Sequence, residues 1–383
     1  MAGTIRKRTW TTRKGEIKTA WVADYFDQRR NRHKKQFPTK KAADAWLLRA
    51  RGEVRDGIHT PDAQSLTIAA AAEAWLEGRR RDGAEHGTML GYRRIVRLHL
   101  VPLIGNIRLA QLTTPMIADY RDALLETRSR SMTRRVLTVL RMILFDMQRS
   151  GKVAQNVAGP IRLTGKARDD RPPLVIGRDV PTKQEISTLL SAVPSRWRPW
   201  LLTAVFTGLR ISELRGLAWE NIDFDRAVLH VRQRADRWGN LGPPKTAAGN
   251  RDVPLAPVIV RALKEWRLAC PRTAEGRLWL VFPNDAGRVM SASHLELDHY
   301  RPLQVTAGVV NQAGTAKYGF HKLRHFFASW AIEQGFAPMR LQEIMGHTSI
   351  RMTYDTYGHW FPDAADDQAK LAAGERAILG VAD

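Results

Sequence analysis

One segment of the 383-residue chain divides its otherwise regular patterns into two parts. Residues 161–180, "IRLTGKARDDRPPLVIGRDV", combine glycines, a Pro-Pro pair and charges of both signs, which is typical of a linker. A single hydrophobic core seldom serves a chain of this length. We therefore expect separate domains on the two sides of this segment.

The residues before the linker predict helices. From residue 66 to residue 160 apolar side chains recur at helical spacing. Thr114 is expected to cap one helix, with Pro115 at its first position, and Gly151 is expected to end another. This part of the chain is predicted to be a compact helical domain.

The first 60 residues differ from the rest in charge and in pattern. They hold 16 Lys and Arg against 6 Asp and Glu. The resulting net charge of +10 is close to half of the chain's formal net charge of +23. Residues 18–27 and 33–38 have strand-like patterns, and residues 39–54 have helical spacing after Thr39 as a possible N-cap. We expect a small sheet backed by one helix.

The residues after the linker predict a third, mostly helical domain. Thr182 and Glu185 form a capping-box pattern, and residues 227–233 and 251–255 read as a hairpin around a long polar loop. A last helix is predicted over residues 363–378. The expected fold class is mainly α with small β elements, in a multidomain chain.

The net charge indicates a polyanionic partner, with nucleic acid favoured over a membrane. No apolar run reaches the roughly 18 residues that a membrane helix needs, and "MAGTIRKRTW" lacks the apolar part of a signal peptide. The single cysteine, Cys270, lies in an apolar stretch and is expected to fill the core. These features favour a protein of the reducing cytoplasm.

Four motifs carry a family resemblance. They are "TGLRISELRGL" at 207–217, "PPKTAAGNRDVPL" at 243–255, "HKLRH" at 321–325 and "GHTSIRMTYDTYGH" at 346–359. In this order they resemble the tyrosine site-specific recombinases, and more closely the phage integrases. The resemblance implies an enzyme without metal or other cofactor, in which a tyrosine attacks a DNA phosphodiester and forms a 3′-phosphotyrosyl link. It also implies an arm-type DNA-binding module at 1–60, a helical core-binding (SAM-like) domain at 66–160 and a catalytic domain at 181–383.

By this resemblance Arg210 and Arg324 bind the reacting phosphate. Attack on a phosphodiester places extra negative charge on its non-bridging oxygens, and arginine supplies paired donors that stay charged. Glu213 is implied to support Arg210, although an ordinary surface ion pair is the alternative. Lys245 is implied to protonate the leaving oxygen, with a solvated loop lysine as the alternative.

The resemblance also assigns His321 to proton handling or phosphate binding and His347 to a hydrogen bond with the phosphate. His321 and His325 stand four residues apart, a spacing that also occurs in zinc sites. Arg324 would place a permanent cation between them, and no glutamate follows the first histidine. A metal site is therefore disfavoured.

Two tyrosines compete for the role of nucleophile. Many recombinases place it nine residues after the Gly-His histidine, and here Thr356 occupies that position. Tyr357, one residue later and just before a second Gly-His pair, is our choice, and Tyr354 is the alternative. One extra residue rotates a helix by about 100°, so the backbone here has to accommodate the change.

The remaining expectations concern partners. The resemblance implies duplex DNA with crossover and arm sites, a homotetramer on DNA, and a possible excisionase and host DNA-bending factor. The apolar stripe of the last predicted helix is compatible with docking on a neighbouring subunit and with packing on its own chain. A catalytically silent DNA-binding protein and a type IB topoisomerase are the alternative functions, and the basic module at 1–60 favours an integrase.

Overall fold

The computed structural model describes residues 3–12, 15–26, 30–55, 65–163, 172–361 and, apart from 373 and 377, 371–378. The chain divides into two compact units, residues 1–165 and 166–383. Most of the described elements are helices, and the sheets are small, so the predicted fold class is confirmed. No helix among the described residues is both long enough and apolar enough to cross a membrane.

The first unit begins with a three-stranded antiparallel sheet and one helix. Their bounds are β1 Thr4–Thr11, β2 Ile17–Phe26, β3 Arg32–Phe37 and α1 Lys40–Arg55. Strand β1 was not predicted, because most of its side chains are exposed and it is held by pairing with β2. Helix α1 packs on β2 through Leu47 and other apolar side chains, and the Thr39 hydroxyl accepts a hydrogen bond from Ala42 N at 3.2 Å. The predicted N-cap is thus confirmed.

The rest of the first unit is helical and has its own apolar core. Its helices are α2 Ile68–Arg81, α3 His86–Ile95, α4 Val101–Ile104, α5 Thr114–Thr127 and α6 Arg130–Arg149. The predicted cap at Thr114 is wrong by one residue. Thr113 has the extended backbone of a cap and accepts a hydrogen bond from Met116 N, whereas the Thr114 hydroxyl donates to Val157 O. Helix α6 ends before Gly151, which has the left-handed backbone that suits glycine, with Ser150 as the cap residue.

The second unit is built around one large apolar core. Its helices are α7 Lys183–Ala192, α8 Arg198–Thr207, α9 Ile211–Arg215, α10 Pro257–Ala269, α11 Ala292–His294, α12 Arg301–Thr306, α13 His321–Glu333, α14 Pro338–Met345 and α15 Ile350–Tyr357. Its strands are β4 Ile222–Asp223, β5 Val228–Val231, β6 Arg234–Ala235, β7 Leu241–Gly242 and β8 Arg251–Pro254.

Most local predictions for this unit are confirmed. Thr182 and Glu185 form the predicted capping box at the start of α7, and Cys270 is buried in the core. Strands β5 and β8 form the predicted antiparallel pair, and β6 and β7 make a second, short ribbon inside the connecting loop. Of the predicted last helix, residues 363–370, 373 and 377 lie outside the described residues, and the described ones from 371 to 378 are helical.

Candidate active site

Two glycine turns shape the centre of the second unit. Gly208 ends α8 with φ 63°, and Gly346 ends α14 with φ 62°, both in the left-handed region. The turns are also crowded, because an added Cβ would lie 2.5 Å from Phe327 Cδ1 at Gly208 and 2.9 Å from Ala248 O at Gly346. Glycine is therefore required at both positions by conformation and by space.

Three arginines meet at the C-terminal end of α14. Arg251 Nε donates to Ile344 O at 2.6 Å, and Arg210 Nη2 donates to Gly346 O at 3.2 Å. Arg324 Nη2 donates to the carbonyl between them, that of Met345. The last carbonyls of a helix have no partner within the helix and carry partial negative charge, so this end suits cations. One helix end thus gathers side chains from three distant segments of the chain.

Glu213 compensates part of this positive charge. Its carboxylate is buried and accepts hydrogen bonds from Arg210 N at 2.9 Å and Arg210 Nη1 at 2.8 Å. It also accepts two bonds from Arg251, at 2.8 and 3.1 Å. Burial alone would raise the pKa of Glu213, but the hydrogen bonds from Arg251 and the charges of Arg251 and Arg210 lower this pKa to about 2. Glu213 is thus a buried, ionised partner of two arginines and not a surface ion pair.

Arg324 is the most deeply placed of the predicted phosphate-binding residues. Only 3% of it is exposed, and Nη1 donates to Gly208 O at 2.5 Å. Burial and the neighbouring charge of Arg210 lower the pKa of Arg324 to about 9. The guanidinium therefore remains cationic at neutral pH and is held in place by carbonyls of both glycine-turn segments.

Tyr357 is the last residue of α15 and is 2% exposed. Its ring lies nearly parallel to that of His347, with centroids 6.2 Å apart, and to that of Trp360, at 5.7 Å. Burial raises the pKa of Tyr357 to about 12, although the charges of Arg324 and Arg210 act in the opposite direction. Because His347 directly follows Gly346, its ring contact brings Tyr357 to the end of α14, where both arginines are held.

His347 follows the Gly346 turn and is also buried. Its Nδ1 is 2.9 Å from the hydroxyl oxygen of Thr353. Burial and the charges of Arg324 and Arg210 lower the pKa of His347 to about 3. The imidazole is therefore neutral at physiological pH.

The other predicted residues lie around this centre. His321 begins α13 and is partly open to solvent, and its pKa is lowered by burial and by the charges of Arg324 and Arg210. Lys245 is an exposed residue of the loop between β7 and β8, and Ala248 of the same loop passes over Gly346. Tyr354 is 50% exposed and its ring contacts Phe361.

The sequence patterns did not indicate two residues of the site. Arg251, the first residue of β8, binds Glu213, and His325 on α13 lies with its Nδ1 2.9 Å from the hydroxyl oxygen of Tyr357. For Arg251 the available signal was a basic residue at the start of a predicted strand, in the same motif as Lys245. For His325 it was the position directly after Arg324, where the spacing from His321 indicated only half of a disfavoured zinc site. The described residues contain no group of three or more His, Cys, Asp or Glu side chains placed to hold a metal ion.

The chain is similar in sequence to known proteins. The profile of the Phage integrase family matches residues 180–363. Prophage integrase IntR of Escherichia coli (strain K12) is 30% identical over 208 residues, which are 50% of this chain and 49% of that relative, so the chain spans about half of its length. Tyrosine recombinase XerC of Xylella fastidiosa (strain M23) is 30% identical over 248 residues, which are 64% of this chain and 74% of that protein.

Solved structures show the same fold. The Tn1549 transposon integrase, in complex with a circular intermediate DNA, superposes with a TM-score of 0.66 at 22% identity over 82% of this chain and 100% of that chain. A lambda integrase tetramer bound to a Holliday junction has a TM-score of 0.56 at 15% identity over 89% of this chain and 95% of that chain. Because the chain is 30% identical to tyrosine recombinase XerC over 74% of that protein, and matches the Phage integrase profile, it belongs to the phage integrase family of tyrosine recombinases, which are enzymes of DNA recombination.

Proposed function

We propose that the protein is the integrase of a phage or another mobile element, which cleaves and rejoins duplex DNA through a 3′-phosphotyrosyl link to Tyr357. The observation that carries the proposal is that Arg210 and Arg324 meet at the end of α14, where the ring of His347 stacks against the buried ring of Tyr357. The nucleophile must reach the groups that bind the phosphate, whereas Tyr354 is exposed and its ring contacts that of Phe361.

In this proposal the two arginines stabilise the charge that develops on the phosphate. Both are held by fixed backbone carbonyls, and Arg210 also by Glu213, so their guanidinium groups need little rearrangement when the phosphate arrives. Glu213 largely neutralises the charge of Arg251. The excess positive charge is therefore supplied by Arg210 and Arg324. His347, neutral and anchored at Nδ1 by Thr353, is left with Nε2 for a hydrogen bond to the phosphate.

Lys245 is proposed as the acid that protonates the leaving 5′-oxygen. It lies three residues before Ala248, whose carbonyl oxygen is next to the Gly346 turn. The loop that carries Lys245 therefore runs beside the phosphate-binding arginines. His321, at the start of α13, is proposed to bind the phosphate or to assist proton transfer from the open side of the site.

The N-terminal sheet is proposed to bind arm sites. Side chains alternate between the two faces of a sheet, and α1 covers the face that contains Ile5 and Ala23. The opposite face, which we call the open sheet face, carries five basic residues from all three strands, namely Arg6, Arg8, Lys18, Arg32 and Lys34. Asp24 is the acidic residue among them and is paired with Arg32. Such a surface suits the phosphates of duplex DNA.

The helical part of the first unit, residues 66–160, is proposed to bind the crossover site together with the catalytic domain at 181–383. Four copies are proposed to assemble on two DNA sites, as the lambda integrase tetramer does on its junction. The described part of the C-terminal segment leaves Leu371 and Ile378 exposed, 72% and 86%, which favours docking on a neighbouring subunit. An excisionase and a host DNA-bending factor are proposed partners, and the host cytoplasm and nucleoid are the proposed location.

The proposal is tested with a labelled half-site of a candidate attachment sequence, nicked so that the cleaved end diffuses away. We expect a denaturation-resistant protein–DNA adduct in the presence of EDTA, at Tyr357 by peptide mapping. DNA binding without any adduct would instead indicate a catalytically silent protein. Relaxation of a supercoiled plasmid that has no attachment site would indicate a topoisomerase.

A further inference from the structure

One histidine that has no assigned role contacts the proposed nucleophile. His325 is half-buried on α13, directly after Arg324, and its Nδ1 lies 2.9 Å from the hydroxyl oxygen of Tyr357. The two rings meet edge to face with centroids 5.7 Å apart. If Nε2 carries the imidazole proton, Nδ1 is an acceptor and the phenol is the donor.

The phenol needs such an acceptor. Burial raises the pKa of Tyr357 to about 12 even with Arg324 and Arg210 nearby, so very little phenolate is present at neutral pH. The proton has to leave as the oxygen attacks the phosphorus, and a base within hydrogen-bond distance is required for this step.

The other histidines near the phenol are placed differently. His347 stacks against the ring of Tyr357, and its Nδ1 is engaged by the hydroxyl group of Thr353. His321 is one helical turn before His325 and contacts its ring edge to face, with centroids 4.9 Å apart. Among the described contacts of these histidines, only that of His325 joins a ring nitrogen to the reacting oxygen.

The surroundings of His325 keep it unprotonated before the reaction. Burial, and after it the charges of His321, Lys322 and Arg324 on the same helix, lower its pKa to about 4. From α15 the phenol of Tyr357 faces it, with His347 behind that ring. At physiological pH the imidazole is therefore ready to accept a proton.

We infer that His325 is the general base of strand cleavage, taking the proton of Tyr357 at Nδ1. The O–H bond of Tyr357 breaks as its oxygen bonds to phosphorus, the bond from phosphorus to the 5′-oxygen breaks, and that oxygen takes a proton from the acid, proposed above to be Lys245. On rejoining, the imidazolium of His325 returns its proton to the departing phenolate. This inference rests on the proposed function, because it takes Tyr357 as the nucleophile.

The test compares two leaving groups in single-turnover cleavage. A half-site with sulfur in place of the bridging 5′-oxygen needs no acid, since a thiolate leaves unprotonated, but it still needs a base for the nucleophile. His325→Asn keeps a hydrogen-bonding atom near the Nδ1 position without its basicity. We expect this variant to be about 100-fold or more slower than wild type on both substrates. Lys245→Ala should be slow on the oxygen substrate and close to wild type on the sulfur substrate.

A second arm changes the acidity of the nucleophile. A fluorinated tyrosine at position 357 loses its proton more easily, so it should restore a large part of the rate of His325→Asn. His294→Asn serves as the control, because His294 is exposed and its Nδ1 is paired with Asp298 on the surface of the domain. We expect it to cleave at the wild-type rate.

The outcomes separate the inference from the proposed function. If the wild type forms no adduct at Tyr357, the proposed function fails. If the wild type forms this adduct, and His325→Asn folds, binds DNA and cleaves at a rate similar to that of the wild type, His325 is not the base. Rescue of His325→Asn by the sulfur substrate would indicate that His325 acts on the leaving group. If fluorinated tyrosine at position 357 leaves the cleavage rate of His325→Asn unchanged, His325 has only a packing role. Both results overturn the inference.

Discussion

Arg251 and Glu213 form a bidentate ion pair in which both side chains are almost completely buried, at 5% and 4% exposure. Removing one partner of a buried pair leaves an uncompensated charge, which costs roughly 3–5 kcal/mol. We expect Glu213→Gln to lower the free energy of unfolding by about this amount, as measured by urea denaturation. It should also slow cleavage, because Arg210 loses a partner.

The matched control for this prediction is Glu343→Gln. Glu343 pairs with Arg340 at 2.9 Å, but both side chains are more than half exposed. Exposed pairs contribute about 0–1 kcal/mol, so this variant should differ little from wild type. Equal stability of the two variants would show that Glu213 does not compensate a buried charge.

The two tyrosines should behave differently on substitution. Tyr357→Phe removes the proposed nucleophile and keeps the ring that contacts His347 and Trp360. We expect it to bind half-site DNA like wild type in a gel-shift assay and to form no covalent adduct. Tyr354→Phe should form the adduct at close to the wild-type rate. The reverse pattern would assign the reaction to Tyr354.

His347 should make stability depend on pH between pH 7 and pH 5. Its pKa is about 3 in the folded protein and near 6.5 when unfolded, so the unfolded chain takes up a proton first as the pH falls. The stabilising contribution is complete above pH 6.5 and is lost progressively toward pH 3. Between pH 7 and pH 5 wild type should lose about 2 kcal/mol more than His347→Asn. The measurement is the free energy of unfolding as a function of pH, and an equal pH dependence for the two proteins would contradict this prediction.

The open sheet face should control arm-site binding. Arg6→Ala combined with Arg8→Ala removes two exposed cations from that face, and we expect weaker arm-site binding with a shallower dependence on salt concentration. Lys7→Ala is the control, because Lys7 is also exposed but points to the other face of the same strand.

Deletion of residues 1–60 should impair integration far more than cleavage of an isolated half-site. Equal loss of both activities would contradict an arm-binding role.

Local features were the most predictable part of the fold. The capping box of Thr182 and Glu185 depends on a pattern of only four consecutive residues, and the structure contains it as predicted. At Thr113 and Thr114 two adjacent hydroxyl groups precede Pro115, and only the backbone turn decides which of them caps the helix. Strand β1 depends on pairing with β2, so its exposed, basic sequence gave no burial pattern to read.

The site was predictable where a residue stands within a motif and not where a contact spans the chain. Arg210 and Glu213 are three residues apart and meet as the helix start at α9 requires. His325 meets Tyr357 across 32 residues and Arg251 meets Glu213 across 38. The irregular spacing before Tyr357 also needed the structure, in which α15 begins at Ile350 and ends at Tyr357.

The burial of Tyr357 beside the rings of His347 and Trp360 bears on the lifetime of the proposed cleaved state. A phosphotyrosyl ester formed at this oxygen would have little access to water, because the side chain that carries it is 2% exposed. The 5′-hydroxyl of a DNA strand, delivered by base pairing, would then be favoured over hydrolysis as the second nucleophile. The same packing that makes the phenol a poor acid would thus preserve the energy of the broken strand until it is resealed.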